Sequence, residues 1–208
     1  MANNIENAER IKTVAMDFDG VITSLDIDWK AAIRQASAIA GYDIKSLNLF
    51  YEECFGTLIF QKISSEMEKI ELEAAKKSSV FPFVKESLQK LAEKQIGVYI
   101  VSMQSFGVVK EFLDQHGLNG YFKGIIVREK CSGKKAQVQC LLKETGNSPR
   151  EILLIDDSKR NIDVCGELGV SCFHFQNRFH FNKKAAKEKW DEILFLVRNC
   201  SRMREGLQ

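Results

Sequence analysis

The sequence predicts an α/β protein: a parallel sheet with helices on both faces and a small all-helical block inserted after the first strand. Three observations predict it. Short apolar runs alternate with amphipathic helical patterns along most of the chain, the pattern of parallel strands joined by crossover helices. The apolar runs end in polar residues, where such sheets bind ligands. One long block, 29–79, carries helical periodicity and no convincing strand.

Residues 11–17 read as a buried strand through Ile11, Val14, Ala15 and Met16, with no helix caps. Two carboxylates, Asp17 and Asp19, follow one residue apart, and Gly20 comes next. On a strand, residues i and i+2 share a face, so the two carboxylates are expected close together at the strand end. Like charges so placed repel unless a cation lies between them or one holds a proton. Residues 20–28 mix turn and strand signals and read as a short flap or hairpin.

Trp29, Ala32, Ile33, Ala36 and Ile39 form a helical stripe that Gly41 ends. Leu47 to Phe55 gives a second helix, stopped near Gly56. Leu58 to Lys77 gives a third, with Ile63, Met67, Ile70 and Ala74 on one face and charges on the other. Pro82 suits the first turn of the next helix, whose stripe is Val84, Leu88 and Leu91. A strand over 97–102 ends in Ser102. A helix runs from Phe106 to His116, a strand from Phe122 to Val127, and a helix from Ser132 to Thr145. The strand at Glu151 to Ile155 leads into Asp156, Asp157 and Ser158. A helix over 161–168, a strand over 170–175 and an amphipathic helix over 183–200 complete the chain. Met67, Trp190 and Phe195 fall at helical spacing and read as core.

Two hundred and eight residues, 45% hydrophobic and 28% charged, suffice for one core domain with an insertion. The division expected is a core over 1–25 and 81–208 and a cap over 26–80. A net charge of +2 from 30 basic and 28 acidic residues gives no electrostatic case for nucleic acid or a membrane surface. No apolar run approaches the ~20 residues that span a bilayer, and Met1 to Arg10 lacks the apolar core of a signal peptide. Six cysteines without Cys-x-x-Cys spacing, and only three histidines, argue against zinc and for free thiols in a reducing cytoplasm. Cys140 and Cys165 read as small core residues. His174 and His180 sit among Phe173, Phe175, Phe179 and Phe181 and read as core or interface residues. Trp29, Arg34, Tyr42 and Tyr51 could reach a substrate from the cap, although each reads equally well as packing or surface.

At the strand ends the chain offers Asp17, Asp19, Ser102, Asp156, Asp157 and Ser158, with Lys134 and Lys135 opening a helix nearby. Carboxylates, a hydroxyl and an ammonium suit phosphoryl transfer. A carboxylate can act as nucleophile, and a second can move a proton. Oxygen ligands favour a hard ion such as Mg²⁺, while a lysine and a hydroxyl hold phosphate oxygens.

Asp17-Phe18-Asp19-Gly20-Val21, Ser102 after Val98-Tyr99-Ile100-Val101, a helix-opening lysine, and Leu153-Leu154-Ile155-Asp156-Asp157-Ser158 stand in the order of the four motifs of the haloacid dehalogenase superfamily. The chain resembles its phosphatases with a small helical cap between the first and second motifs. The resemblance implies a Rossmann-like sheet of order 3-2-1-4-5, Asp17 as nucleophile and Asp19 as general acid/base. It implies Mg²⁺ held by Asp157, Asp156, Asp17 and the main-chain carbonyl of Asp19. Ser102 and one of Lys134 and Lys135 would bind phosphate, and the substrate would be a small phosphorylated metabolite. Three departures stand out: Met103 where many relatives have Asn, two adjacent lysines without a following proline, and Asp156-Asp157 then Asn161 where many relatives have Gly-Asp and a later Asp. A dehalogenase would lack the second acid. A phosphomutase would keep it and differ in the cap. A non-catalytic binding protein would usually have lost a motif acid. An EF-hand loop fails because Asp28, not Glu, falls at its last position and Gly20 is misplaced.

Overall fold

The computed structural model describes residues 11–176 and 182–199. Five strands, β1 (Thr13–Met16), β2 (Gly97–Val101), β3 (Gly124–Ile126), β4 (Ile152–Asp156) and β5 (Ser171–His174), form one sheet. Its order is β3-β2-β1-β4-β5, and all four pairings are parallel. Helices α1 (Trp29–Ala40), α2 (Leu47–Cys54) and α3 (Leu58–Ala75) intervene between β1 and the core helix α4 (Val84–Glu93). Helices α5 (Phe106–His116), α6 (Lys134–Thr145), α7 (Lys159–Gly166) and α8 (Lys183–Asn199) alternate with the remaining strands. The expected fold is therefore present, with α1–α3 as the cap.

Alternation along the strands divides the core. Val14 and Met16 face one side with Leu88, Leu91, Phe112 and Trp190. Ala15, between them, faces the other with Val101, Val138 and Leu154. Each fully buried leucine of this kind contributes about 1.5–3 kcal/mol by leaving water. The cap has its own cluster of Ala36, Phe50, Tyr51, Phe60, Ile63 and Met67. Met103 of the core joins it, so the side chain found where many relatives have Asn serves cap packing.

Chain order explains the placement of the strand ends. The chain passes from β1 outward through β2 and β3, then returns to the opposite flank of β1 as β4. Ligand crevices form where the order reverses in this way. Thr13 pairs with both Gly97 and Ile152, and this register brings the ends of β2, β1 and β4 level.

Several boundaries differ from expectation for local reasons. Pro82 lies before α4 rather than in its first turn, because Phe83 takes a left-handed conformation (φ 69°) as the residue before the helix. Residues 20–23 form a tight turn with Gly20 N–H donating to the Thr23 carbonyl at 2.8 Å, not a hairpin. Helix α7 starts early because the Ser158 hydroxyl caps it, accepting from the Asn161 amide. Phe195 is 60% exposed, since the buried stripe of α8 is Trp190, Ile193, Leu194 and Val197 and Phe195 falls off it. Tyr42 and Arg34 are exposed, while Tyr51 is buried. Cys165 is buried and Cys140 half-buried. His180, Phe179, Phe181, Cys200 and Met1 to Arg10 lie outside the described residues. Among the described residues, no helix is long and apolar enough to cross a membrane.

Candidate active site

Asp17 sits one residue past β1, its N–H still paired to the Ile155 carbonyl at 2.9 Å. The pairing fixes the backbone so that the carboxylate projects from the sheet end, where Oδ1 accepts from the Phe18 N–H at 2.8 Å. Gly20 takes a positive φ of 86°, which turns the chain at once, its N–H donating to the Thr23 carbonyl. The Asp19 carboxylate accepts from the Leu25 N–H at 2.8 Å.

The third motif resolves between its two lysines. Lys134, buried at the first turn of α6, lies 3.2 Å from Asp17 Oδ1 and 3.0 Å from Asp156 Oδ2, and donates to the Val101 carbonyl at 2.5 Å. Lys135 is 45% exposed and pairs with Glu167. One residue along a helix turns the side chain by about 100°, so only one of two adjacent lysines can face the crevice. Ser102 is buried, anchored by its N–H to the Ile126 carbonyl at 2.9 Å and by Gln137 Nε2 donating to its carbonyl at 2.6 Å. Its hydroxyl contacts Asp17 and Gln104.

On the other flank, Asp156 Oδ1 accepts from the Ser158 N–H at 2.8 Å, and Asn161 Nδ2 lies 3.1 and 3.2 Å from its two oxygens. His174 Nε2 lies 2.8 Å from the Asp157 carbonyl oxygen, which pins the backbone beneath that carboxylate. His174 thus does more than fill a core. Gln104 and Gln137 join the site with no signal in the sequence, and Asn161, a departure in the fourth motif, joins it through Asp156. Asn161 alone had a local signal, its position three residues after the capping Ser158.

Oxygens of Asp17, Asp156 and Asp157 lie within 4.8 Å of one another. This all-oxygen donor set fits a hard divalent ion such as Mg²⁺. The electrostatics point the same way. Burial, opposed by Lys134, pushes Asp17 from 3.8 up to about 6. Burial pushes Asp19 up to about 7. Burial, then Asp17 and Asp156, push Asp157 up to about 7. Burial works against the Lys134 charge, yet Asp156 and Asp17 together hold its pKa above the ordinary value. The site thus carries more negative charge than one ammonium neutralises, and a cation would relieve it.

A cleft of about 330 Å³ opens over these groups. Asp17, Asp19, Gln104 and Asp157 line it from the core, and Trp29, Ile33, Lys45 and Asn48 from the cap. Of the cap aromatics singled out from sequence, Trp29 is the one that lines it.

The family model of haloacid dehalogenase-like hydrolases matches residues 14–175. The chain belongs to the haloacid dehalogenase-like hydrolase family. A phosphoglycolate phosphatase of Vibrio vulnificus (strain CMCP6) is 22% identical, covering 89% of this chain and 92% of its own. A subfamily IA hydrolase of the superfamily from Geobacter sulfurreducens PCA aligns with a TM-score of 0.54 at 16% identity, over 81% of this chain and 88% of that one. CbbY from Rhodobacter sphaeroides, solved in complex with phosphate, aligns with a TM-score of 0.56 at 14% identity, over 78% and 84%. These two likenesses support the fold alone.

Proposed function

We propose that this chain is a Mg²⁺-dependent phosphatase that hydrolyses a small phosphomonoester through an aspartyl-phosphate on Asp17. The observation that carries the reading is Lys134, a buried ammonium held 3.2 Å from Asp17 and 3.0 Å from Asp156 at the sheet's switch point. It fixes a carboxylate in place and supplies a cation where phosphate oxygens would lie.

In the first step a carboxylate oxygen of Asp17 attacks phosphorus. The bond from phosphorus to the leaving oxygen breaks, and protonated Asp19 gives that oxygen its proton. In the second, Asp19 as carboxylate takes a proton from water. The water oxygen attacks phosphorus and the bond to Asp17 breaks, releasing inorganic phosphate and leaving Asp19 protonated again. A proton carrier works best when its pKa is near the working pH, and the raised value for Asp19, about 7, supports that role. Lys134 and the Ser102 hydroxyl hold the phosphate oxygens, while Lys135 stays outside. Asp157, Asp156, Asp17 and the Asp19 carbonyl would hold Mg²⁺, which would supply positive charge to offset that of the phosphate.

The cap, residues 26–80, covers the cleft and keeps bulk water from the transfer. The cleft volume of about 330 Å³ supports a small metabolite, and the curated relatives make phosphoglycolate the first to try. Free thiols at Cys54, Cys131, Cys140, Cys165 and Cys172 are compatible with the cytoplasm. The test is phosphate release from a panel of phosphorylated metabolites, with Mg²⁺ and with chelator. Metal-dependent release from a few small esters is expected. Transfer to an isomeric ester without free phosphate would replace this reading with a mutase.

A further inference from the structure

A guanidinium is among the costliest groups to bury, and Arg128, just past β3, is fully buried. Burial is tolerated when its N–H groups find acceptors, and those found here lie in two separate parts of the fold. Nε donates to Ser64 Oγ at 2.8 Å and Nη2 to the Ser64 carbonyl at 2.9 Å. Nη1 lies 2.6 and 2.8 Å from the two Glu71 oxygens and donates to the Met103 carbonyl at 3.1 Å. Its Cζ stands 5.3 Å from the centre of the Tyr51 ring. Ser64 and Glu71 belong to α3, and Tyr51 to α2. The Met103 carbonyl belongs to the core turn between Ser102 and Gln104, both of which border the site.

The rest of that seam is polar too. Ser64, Glu68 and Glu71 fall four and three residues apart and share a face of α3. Glu68 accepts from the Ser105 hydroxyl at 2.9 Å. It also lies against Gly107, where an added Cβ would come within 2.4 Å of Glu68 Oε1. The cap helix is therefore seated on residues 103–107, the segment that continues directly from the proposed phosphate-binding Ser102. Buried ion pairs are weak evidence for added stability, because well-packed apolar groups of similar volume often serve as well or better. A planar fork with fixed directions instead sets a geometry.

We propose that Arg128 is a positioning residue for the hydrolytic site. Its guanidinium locks α3 and the Met103–Gln104 turn into one unit, so that the seat of the cap and the shape of the phosphate-side turn are set together. The effect on turnover rests on the phosphatase reading above; the effect on the turn does not.

The experiment uses the full chain and three variants, Arg128→Lys, Arg128→Met and Glu71→Gln. Hydrogen–deuterium exchange is followed in peptides covering 58–75, 102–107 and the strands 97–101 and 152–156. Exchange at 58–75 and 102–107 is expected to accelerate together by about tenfold or more, a loss of local protection, while the strands keep theirs. Kinetics are read on the best ester from the panel. Arg128→Lys retains the charge but not the fork, and is expected to lower kcat by about a hundredfold, the scale of an ångström misplacement, with KM changed far less. If Arg128→Met does not fold, the two milder variants decide the matter. A variant that only melts earlier, with 102–107 still protected and kcat intact, overturns the proposal. A wild-type protein without phosphatase activity sinks the reading of the site, and the exchange data then decide the coupling by themselves.

Discussion

Arg128–Glu71 and Arg160–Glu52 each tie a cap helix to the core, at 2.6 and 2.7 Å, yet the two regions they hold differ in kind. Arg128 and Glu71 are 0% and 3% exposed, in a seam shared with Ser64 and Tyr51. Arg160 and Glu52 are 44% and 33% exposed, at the edge where α2 meets the start of α7. Water and salt screen the second pair, so its worth is about 0–1 kcal/mol. The first is shut off from solvent, so nothing replaces a lost partner. The same residue types therefore make a fixed seat on the α3 side and a weak tie on the α2 side. The two adjacent lysines of α6 repeat the lesson, Lys134 sealed between carboxylates and Lys135 on the surface.

The lysines give the widest separation. Lys134→Ala is expected to lower kcat by about 10² to 10³, the loss typical of a buried electrostatic stabiliser, and Lys135→Ala to stay within about threefold of wild type. Equal losses in steady-state assays would erase the distinction. The two arginines come next. Glu71→Ala strands a buried guanidinium and is expected to cost about 3–5 kcal/mol in denaturant unfolding. Glu52→Ala is expected to cost under about 1 kcal/mol, shrinking further in salt. Similar costs for both would mean that the α3 seam is wet.

The carboxylate cluster gives a smaller, pH-dependent effect. Burial raises Asp17 to about 6 and both Asp19 and Asp157 to about 7, from 3.8. The folded protein therefore binds more protons than the unfolded chain between about pH 4 and pH 7, so stability falls as pH rises through that window. The metal-free protein is expected to melt at least about 5 °C lower at pH 8 than at pH 5. Excess Mg²⁺ should raise the melting point more at pH 8 than at pH 5. Asp157→Asn should flatten both trends. A metal-free melting point that climbs with pH would contradict the raised values.

Sequence spacing exposed what depends on near neighbours. Asp17 and Asp19 share a strand end, Asp156 and Asp157 close an apolar run, and the glycine after His116 marks the end of α5, where Gly117 takes the left-handed conformation. What stayed hidden depends on distance along the chain or on one turn of a helix. Arg128 carries no local signal, since Glu71 and Ser64 lie 57 and 64 residues away. The polar stripe of Ser64, Glu68 and Glu71 is hidden among the charges opposite the apolar face, because the sequence does not say which side of α3 the core will cover. Adjacent lysines cannot be separated without knowing how α6 is rotated against the sheet.

The account rests most on Asp17, and one assay reaches it directly. Phosphate release from the best small ester is measured with Mg²⁺ for wild type and Asp17→Asn, alongside their melting curves. The account predicts turnover by wild type and none by Asp17→Asn, with the variant still folded. Undiminished turnover in folded Asp17→Asn would contradict it.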